Sequence, residues 1–475
     1  MAASQMAGPA VCNILLDYAP VPRTHALMNS QPVIKNIAAT DLRQALQAAL
    51  QAAQDFGATA AEADIGAGHG LSVSVRRGEP ENVEHQRDKA LSLTVYVGQR
   101  KGSASSTDLG VEAVREIARS ACDITRHASP DPCAGLLEPR YLARAIPDLD
   151  LVHPWDITPE QAIDLAIGCE REALAADRRI TNSDGALVST YTGSHWYANS
   201  NDFIGGWDWS THTVDCAVIA EDSAGMQRDG WYTKHRNPLL LESAQAVGRQ
   251  AGERAAARLG SRRLTTRRAP VIFEAPVASG LFSAFIGAIS GNALYRKASF
   301  LLDRVGTEVF APHLRIHEQP HLKCSLGSAP FDNDGMATCA RDLIRSGILQ
   351  GYVLDAYSAR KLGLEPTGNG GGVHNLMVEP GAQDLASLLQ TMGNGLLVTD
   401  LIGFGVNQVT GDYSRGASGF WVENGAIGFP VEEITVAGNL LDMYKNIVAV
   451  GADVDLRGNV LTGSVLIDGL TIAGE

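Results

Sequence analysis

Cysteine pairs, long apolar runs and an excess of positive charge are all missing from this sequence of 475 residues. The seven cysteines are odd in number and contain no C-x-x-C pair, which argues against a disulfide framework and predicts reduced thiols in a cytoplasmic protein. The formal net charge of −14 argues against nucleic-acid binding, because such proteins concentrate Lys and Arg on one face. The uncharged run at residues 275–295 contains glycines and a proline, which favours a buried helix over a membrane span.

The length of the chain predicts two domains, since it exceeds what one ordinary core requires. Hydrophobic residues at 45% and charged residues at 19% are typical of a soluble globular protein. A short basic segment, residues 262–268, is interpreted as a linker, and the boundary is placed near Thr266. We therefore divide the chain into a weakly patterned N-terminal extension (1–39), an N-terminal α/β-type domain (40–266) and a C-terminal domain (267–475).

The N-terminal domain combines helix and strand patterns. An amphipathic helix is predicted from a possible N-cap at Thr40 to a stop at Gly57. Residues 71–75 and 91–97 alternate like strands on either side of a turn at residues 78–80. Further helices are predicted at 110–127, at 159–176 behind a capping box that begins at Thr158, and at 241–259, with strands and an aromatic cluster across 180–220.

The C-terminal domain reads mainly as sheet. A strand at 270–273 and a helix of small residues at 277–290 come first. Glycine-punctuated strands then follow at 348–354, 395–401, 419–422, 427–431 and 465–472. The Asn424-Gly425 pair predicts a type I′ hairpin turn. The expected fold class is α+β, with a helix-and-sheet N-terminal domain followed by a mainly β C-terminal domain.

One short motif matches the H-E-x-x-H pattern of zinc peptidases. His317, Glu318 and His321 occupy its ligand and base positions. The pattern requires a helix, however, and Pro320 inside that helix would cost about 3 kcal/mol. We therefore expect no metal at this motif, although the alternative stays open.

Two glycine-containing segments resemble known binding loops only in part. Residues 331–335 (FDNDG) open like a calcium loop, but Leu343 stands where the distal glutamate should be, so a polar turn is favoured. Residues 367–372 (TGNGGG) are followed by no Lys-Ser/Thr pair and do not form a P-loop. A flexible loop near the substrate path is the preferred interpretation.

Residues 410–425, TGDYSRGASGFWVENG, form the most specific segment of the chain. Because Ser414 has no histidine nearby in sequence, it is a poor nucleophile candidate, and we predict no catalytic residue here. The segment is interpreted as a substrate-binding or interface region. Its named members are Asp412, Tyr413, Ser414, Arg415, Trp421 and Asn424.

This segment resembles the C-terminal motif of PmbA-type (TldE) subunits of the TldD/PmbA metallopeptidase family. Matching pieces also occur at residues 100–108, 129–135, 357–364 and 431–443, so that the resemblance covers the chain from about residue 41 to its end. TldD-type chains of that family carry a helical H-E-x-x-x-H motif and a downstream cysteine that binds the metal.

Alignment on Arg296-Lys297 places Ser283 and Ala288 at the two histidine positions of that motif, and Ala284 at the glutamate position. Serine is a poor zinc ligand and alanine is none, and residues 455–475 contain no cysteine. The resemblance therefore implies that this chain holds no metal and no cofactor.

The function implied by the resemblance is that of the non-metal subunit of a cytoplasmic peptidase. A TldD-like partner would supply zinc, and this chain would help to enclose and hold unfolded peptides for trimming or degradation. Relatives are associated with maturation of a microcin precursor and with degradation of an antitoxin. No membrane or nucleic-acid partner is expected.

Two other hypotheses remain open from the sequence. The chain could be a homo-oligomeric binding or scaffold protein without enzymatic activity, forming a homodimer when alone. It could also be an independent zinc peptidase that uses the H-E-x-x-H residues, and distant histidines such as His195, His212 and His374 leave room for a further metal site.

Overall fold

A computed structural model describes residues 38–223 and 225–474 as one compact unit, so residues 1–37 of the predicted extension lie outside the described residues. The fold is α+β, as predicted. The helices are α1 (Ala39–Asp55), α2 (Val111–His127), α3 (Pro159–Ala175), α4 (Ala244–Ala257), α5 (Ala275–Ala288), α6 (Gly291–Tyr295), α7 (Ala356–Leu362), α8 (Leu385–Met392) and α9 (Leu440–Lys445).

The strands fall into three sheets. Those of the first sheet are β1 (Ala60–Arg76), β2 (Glu79–Val97), β3 (Arg100–Ser106), β4 (Ile180–Asn199), β5 (Phe203–Asp222) and β6 (Gly225–His235). Those of the other two sheets are β7 (Arg267–Phe273), β8 (Ile316–Glu318), β9 (Arg341–Arg345), β10 (Ile348–Leu349), β11 (Leu376–Val378), β12 (Gly395–Ile402), β13 (Asp412–Glu423), β14 (Ala426–Asn439), β15 (Ile447–Val450), β16 (Val460–Leu461) and β17 (Val465–Ala473).

The first sheet is antiparallel, in the order β3-β2-β1-β4-β5-β6. Since side chains alternate along a strand, one face is apolar and packs on helices. Ile65 and Leu93 pack on α1 and α2, and Val188 and Val218 pack on α3 and α4. The opposite face carries most of the aromatic cluster of β4 and β5, where Phe203 and Trp207 pack on Phe331, whereas Trp196 packs on the side of α1 and α2.

The second sheet closes into a barrel. Its order is β14-β13-β12-β7-β17, and residues 435–437 of β14 pair with residues 471–473 of β17 to complete the ring, while β15 flanks β17. Closure removes free edges from these five strands. The third sheet consists of five short strands in the order β10-β9-β8-β11-β16.

Several local predictions are confirmed. Thr158 and Gln161 form both hydrogen bonds of the capping box at the start of α3. Asn424 and Gly425 have φ angles of 52° and 78° and join β13 to β14, as a type I′ turn requires. The uncharged run forms the buried helix α5, and no helix in the described part of the chain is long and apolar enough to cross a membrane.

Other local predictions are wrong in detail. The N-cap of α1 is Ala38, without a side-chain cap, and Thr40 lies inside the first turn. The turn between β1 and β2 is formed by Arg77 and Gly78, with φ angles of 55° and 73°, so that Pro80 already belongs to β2. The predicted strand 348–354 is only two residues long, because the chain leaves the sheet after Leu349.

Candidate functional site

Helix α5 is the first element of the candidate site, because the resemblance places the family's metal positions on it. One side of the helix is held by stacked aromatic rings. Phe285 contacts Phe310 with ring centroids 5.0 Å apart, and Phe310 stacks on Tyr444 at 4.4 Å. The Tyr444 hydroxyl donates a 2.8 Å hydrogen bond to the carbonyl of Leu281. This packing fixes which face of α5 points away from the core.

The other face of α5 consists of small residues and lies against the loop that joins β12 to β13. The side-chain amide of Gln408 donates to the carbonyl of Ala284 at 3.2 Å. A Cβ atom on Gly287 would lie 2.9 Å from that amide nitrogen, and one on Gly280 would lie 3.7 Å from the guanidinium of Arg415. The small residues therefore allow the loop and Arg415 to approach the helix.

The side chains at the family's metal positions do not fit a catalytic zinc ion. The Ser283 hydroxyl donates to the carbonyl of Ser279, one turn earlier in the same helix, at 2.9 Å. Ala284 and Ala288 offer no donor atom and are buried. The nearby guanidinium of Arg415 would repel a cation. Zinc needs nitrogen, sulfur or carboxylate ligands, and these positions supply none.

Tyr413 and Arg415, two residues apart on β13, are the part of the sequence motif that reaches this helix region. Tyr413 is 3% exposed, and its ring meets Phe273 edge-on. Burial raises the pKa of its phenol to about 12, against the opposing effect of the Arg415 charge. Arg415 donates to the carbonyl of Leu401 at 3.4 Å. Among the described residues, no partner lies in hydrogen-bonding geometry with the Tyr413 hydroxyl or with the Arg415 Nε atom.

Asp412 and Ser414 point to solvent instead. The Asp412 carboxylate accepts a 2.6 Å hydrogen bond from the hydroxyl of Thr410. The amide of Ser414 donates to the carbonyl of Gly405 at 2.7 Å, which ties β13 to the loop that covers α5. These two residues therefore belong to the outer surface of the same corner.

Trp421 and Asn424 lie at the far end of β13 and do not join the others. They are separated from Asp412 by about 30 Å of extended strand. The Arg267 guanidinium carbon lies 5.0 Å from the centroid of the Trp421 ring, and the amide of Asn424 donates to the side chain of Asn394 at 3.0 Å. The residues of the 410–425 segment therefore lie at two separate positions along the barrel and do not form one site.

Glu318 of the H-E-x-x-H motif is a buried member of a hydrogen-bond network. It is 2% exposed and forms an ion pair with Arg341, whose Nε lies 2.9 Å from its carboxylate. The same carboxylate accepts from the amide side chain of Asn369 at 2.8 Å and from the backbone amide of His374 at 2.9 Å. A carboxylate held in this way is not free to act as a general base.

The two histidines of the motif have different neighbours. His317 lies on strand β8 and contacts the side chain of Gln319 at 2.8 Å, while His321 contacts the hydroxyl of Thr338 at 3.0 Å. The motif forms a strand and the loop after it, so its residues do not share a helical face. In the described part of the chain, one group of His, Cys, Asp and Glu has metal-like spacing, and it includes neither histidine.

A cluster of one buried and two half-buried carboxyl groups was missed by the sequence analysis. Asp332 and Asp334 lie in the FDNDG turn, where Asp332 accepts from the backbone amides of Asp334 at 2.9 Å and Gly370 at 2.7 Å. Glu62 of the first sheet accepts from the hydroxyl of Tyr197 at 2.9 Å. The turn is therefore polar, but it is also buried against another part of the fold, which its sequence did not indicate.

Burial perturbs the acidity of this cluster. It raises the pKa of Asp332 to about 7, with the charge of Asp334 as a second cause. It raises the pKa of Asp334 to about 6, and the charge of Glu62 adds to the effect. Close carboxylates in a poorly solvated place disfavour each other's charged form.

A groove of about 660 Å³ lies on the face of the first sheet opposite α1–α4. Tyr191 and Trp209 stack along it with ring centroids 5.4 Å apart, and Gly66 and Asp88 also line it. The buried Nε2 atom of His195, another lining residue, has no hydrogen-bond partner among the described residues. Aromatic surface beside the charged side chain of Asp88 suits a ligand with both apolar and polar parts.

Comparison with known proteins places this geometry in a family. Three models of the PmbA/TldA metallopeptidases match the chain: domain 1 at residues 61–125, the central domain at 152–259 and the C-terminal domain at 266–474. The chain belongs to the PmbA/TldD metallopeptidase family. This membership agrees with the resemblance found from the sequence motifs.

Relatives named PmbA match over almost their whole length. The metalloprotease PmbA of Escherichia coli O157:H7 is 47% identical over 91% of this chain and 96% of its own, and the PmbA homologue of Haemophilus influenzae is 46% identical over 92% and 96%. A TldD homologue of H. influenzae is only 21% identical, over 78% of this chain and 81% of its own.

Solved structures support the same fold. A putative modulator of DNA gyrase from Bacteroides thetaiotaomicron superposes with a TM-score of 0.87 at 28% identity, over 91% of this chain and 99% of its own. TldE from Thermococcus kodakarensis gives a TM-score of 0.80 at 20% identity, over 90% and 100%, and indicates the fold alone.

Proposed function

We propose that this chain is the PmbA/TldE-type subunit, without the catalytic metal, of a cytoplasmic TldD/PmbA peptidase that trims or degrades unfolded peptides. A TldD-like partner supplies zinc and its activated water, and this chain helps to enclose and hold the substrate. Microcin-precursor maturation and antitoxin degradation are the substrate types that the family resemblance suggests.

The observation that carries this proposal is the chemistry of the outer face of α5. The Ser283 hydroxyl donates a hydrogen bond within its own helix, and the side chains of Ala284 and Ala288 have no atom that can bind a metal. The guanidinium of Arg415 places a positive charge near the same face. The relatives are named metalloproteases, so a peptidase that includes this chain requires metal ligands from elsewhere.

The groove on the first sheet supports the substrate-holding role. Tyr191 and Trp209 offer a flat aromatic surface that can contact the apolar side chains of a peptide. Peptide hydrolysis at the partner's metal would then depend on residues of this chain that do no chemistry themselves.

The test is reconstitution with the TldD-like chain of the same organism. We expect a stable complex whose hydrolysis of an unfolded peptide is abolished by a zinc chelator, while this chain alone is inactive. Peptide hydrolysis by this chain alone, with loss on Glu318→Gln, would favour the independent zinc peptidase. A homodimer that persists beside free TldD and leaves its activity unchanged would favour the scaffold protein.

A second variant addresses the groove in the same complex. Trp209→Ala should raise KM for the peptide with little change in kcat, because it removes binding surface and leaves the metal site intact. Phe420→Ala, at a half-buried ring on the barrel, is the matched control and should leave KM unchanged. An unchanged KM for Trp209→Ala would remove the groove from the proposal.

A further inference from the structure

Asp150, His153 and Cys324 come together from two distant segments of the chain. One ligand atom from each lies within 4.8 Å of the other two, and no other group of this kind occurs in residues 38–223 and 225–474. The His153 Nε2 atom lies 3.1 Å from the backbone carbonyl oxygen of Asp150 and 3.3 Å from the Asp150 carboxylate. The group is remote in sequence from α5, whereas Cys324 lies three residues after His321 of the H-E-x-x-H motif.

The fold holds both segments in place. The amide of Cys324 donates a 2.9 Å hydrogen bond to the carbonyl of Leu149, which joins the two segments next to the cluster. Leu149 and Leu151 are each 5% exposed and anchor the backbone on either side of Asp150. The spacing of the three side chains is therefore set by buried backbone and not by flexible loops.

His153 is positioned by two fully buried polar residues. Its backbone amide donates to the hydroxyl of Ser210 at 2.8 Å, and its carbonyl accepts from the His212 ring at 2.7 Å. The other His212 nitrogen contacts the hydroxyl of Thr190 at 2.8 Å, so that ring is fully occupied in support. The His153 imidazole itself remains about one-fifth exposed and can reach an ion from solvent.

The donor set has the chemistry of a zinc site. Carboxylate oxygen, imidazole nitrogen and thiolate sulfur are the three ligand types that zinc binds, at about 2.0–2.3 Å. Burial and the charge of Asp150 raise the pKa of the Cys324 thiol, and the positive charge of Arg236, whose guanidinium is held by the carbonyls of Ser325 and Leu326, opposes that rise.

We propose that Asp150, His153 and Cys324 bind one zinc ion or a similar divalent cation, with water as the fourth ligand. Binding forms bonds from the metal to oxygen, nitrogen and sulfur and releases the thiol proton to solvent, with no change of oxidation state. The ion would join the segment before α3 to the loop after β8.

The test is titration of the metal-free chain with Co²⁺ under reducing conditions. The wild type should bind one equivalent at this site with a near-ultraviolet thiolate-to-cobalt band, and Zn²⁺ should displace the cobalt. Cys324→Ser should lose the band, while Cys339→Ser and Cys12→Ser should keep it; Cys339 is exposed and lies outside the cluster.

His153→Ala tests the second ligand. We expect the affinity for Co²⁺ to fall at least about tenfold, since replacing even a residue that only hydrogen-bonds to a metal ligand lowers metal affinity about 10–100-fold. Circular dichroism of the metal-free variants separates ligand loss from misfolding, and the near-isosteric Cys324→Ser keeps the test valid if His153→Ala fails to fold. A wild type that shows no band, or a band that Cys339→Ser removes, would overturn the proposal.

Discussion

The carboxylate of Asp131 accepts a 2.7 Å hydrogen bond from the hydroxyl of Tyr357, 226 residues further along the chain. Lys361 donates to the same carboxylate at 3.0 Å. The pKa of Asp131 is held at about 2 by its hydrogen bonds with the backbone of Cys133, with Tyr357 and with Lys361. Two family motifs, residues 129–135 and 357–364, are thus parts of one contact between segments far apart in the chain.

Arg360 completes this contact, and its replacement should weaken the fold. Its three guanidinium nitrogens donate to the carbonyls of Cys133, Gly135 and Leu136 at 2.6–3.0 Å. Arg360→Lys keeps the charge but cannot reproduce the planar fork, so we expect the free energy of unfolding to fall by about 2 kcal/mol. Urea denaturation measures the loss, and Arg304→Lys, at an exposed position, should change it by less than about 0.5 kcal/mol. Equal stability of the two variants would contradict a role for the three carbonyl contacts.

Gly405 determines how closely the loop approaches β13. A Cβ atom there would lie 1.5 Å from the carbonyl oxygen of Ser414, so backbone must move if any side chain is added. We expect Gly405→Ala to destabilise the protein by about 1–3 kcal/mol and to loosen the cover over α5. Hydrogen exchange of residues 403–411 and thermal unfolding measure both effects.

Gly416→Ala is the matched control for this substitution. Its Cβ atom would lie 3.4 Å from the side chain of Ile402, which is ordinary contact, and the protein should tolerate it. If residues 403–411 exchange hydrogen as slowly in both variants as in the wild type, the close approach of Gly405 to Ser414 does not stabilise the loop.

Local patterns predicted most helices and many strand segments, and tertiary contacts account for what they missed. The capping box at Thr158 and the Asn424-Gly425 turn are encoded within a few residues, so both were predictable. The pairing of β14 with β17 and the network around Glu318 join residues far apart in the chain, and no local pattern records them.

The candidate site was predictable only in part, for the same reason. The family alignment pointed to Ser283, Ala284 and Ala288, but not to Gln408 and Arg415, which cover that face from another element. Cys324 was merely one of the scattered cysteines in the sequence.

Glu318 should matter for stability and not for peptide hydrolysis. Glu318→Gln removes the charge that pairs with the half-buried Arg341, and breaking such a pair costs about 3–5 kcal/mol when one partner is lost. The retained amide oxygen can still accept from Asn369, so we expect the lower end of that range. Denaturant unfolding measures the loss, and the kcat of the folded variant in the reconstituted complex should be unchanged.

The control variant Glu379→Gln breaks an exposed ion pair with Arg315 and should lower the free energy of unfolding by no more than about 1 kcal/mol. A stable Glu318→Gln variant that lacks activity would return Glu318 to the catalytic candidates.

Stability should fall as the pH rises through the range in which Asp332 and Asp334 lose their protons. Both carboxyl groups have folded-state pKa values, about 7 and about 6, above their ordinary value of 3.8. The folded protein therefore binds more protons than the unfolded chain between about pH 4 and pH 7, and stability decreases with pH across that window. Each group can contribute up to about 1.4 kcal/mol per pH unit to this slope.

Asp334→Asn should flatten this dependence. The amide oxygen can still accept the 2.8 Å hydrogen bond from Ala356, while the charge that disfavours ionised Asp332 is removed. The melting temperature measured from pH 4.5 to 8 should then vary less than that of the wild type. Asp208→Asn, which changes an exposed carboxyl group on β5, should keep the wild-type dependence of melting temperature on pH. If the melting temperature of Asp334→Asn depends on pH as that of the wild type does, the protonation of Asp332 and Asp334 is not the cause of the pH dependence of stability.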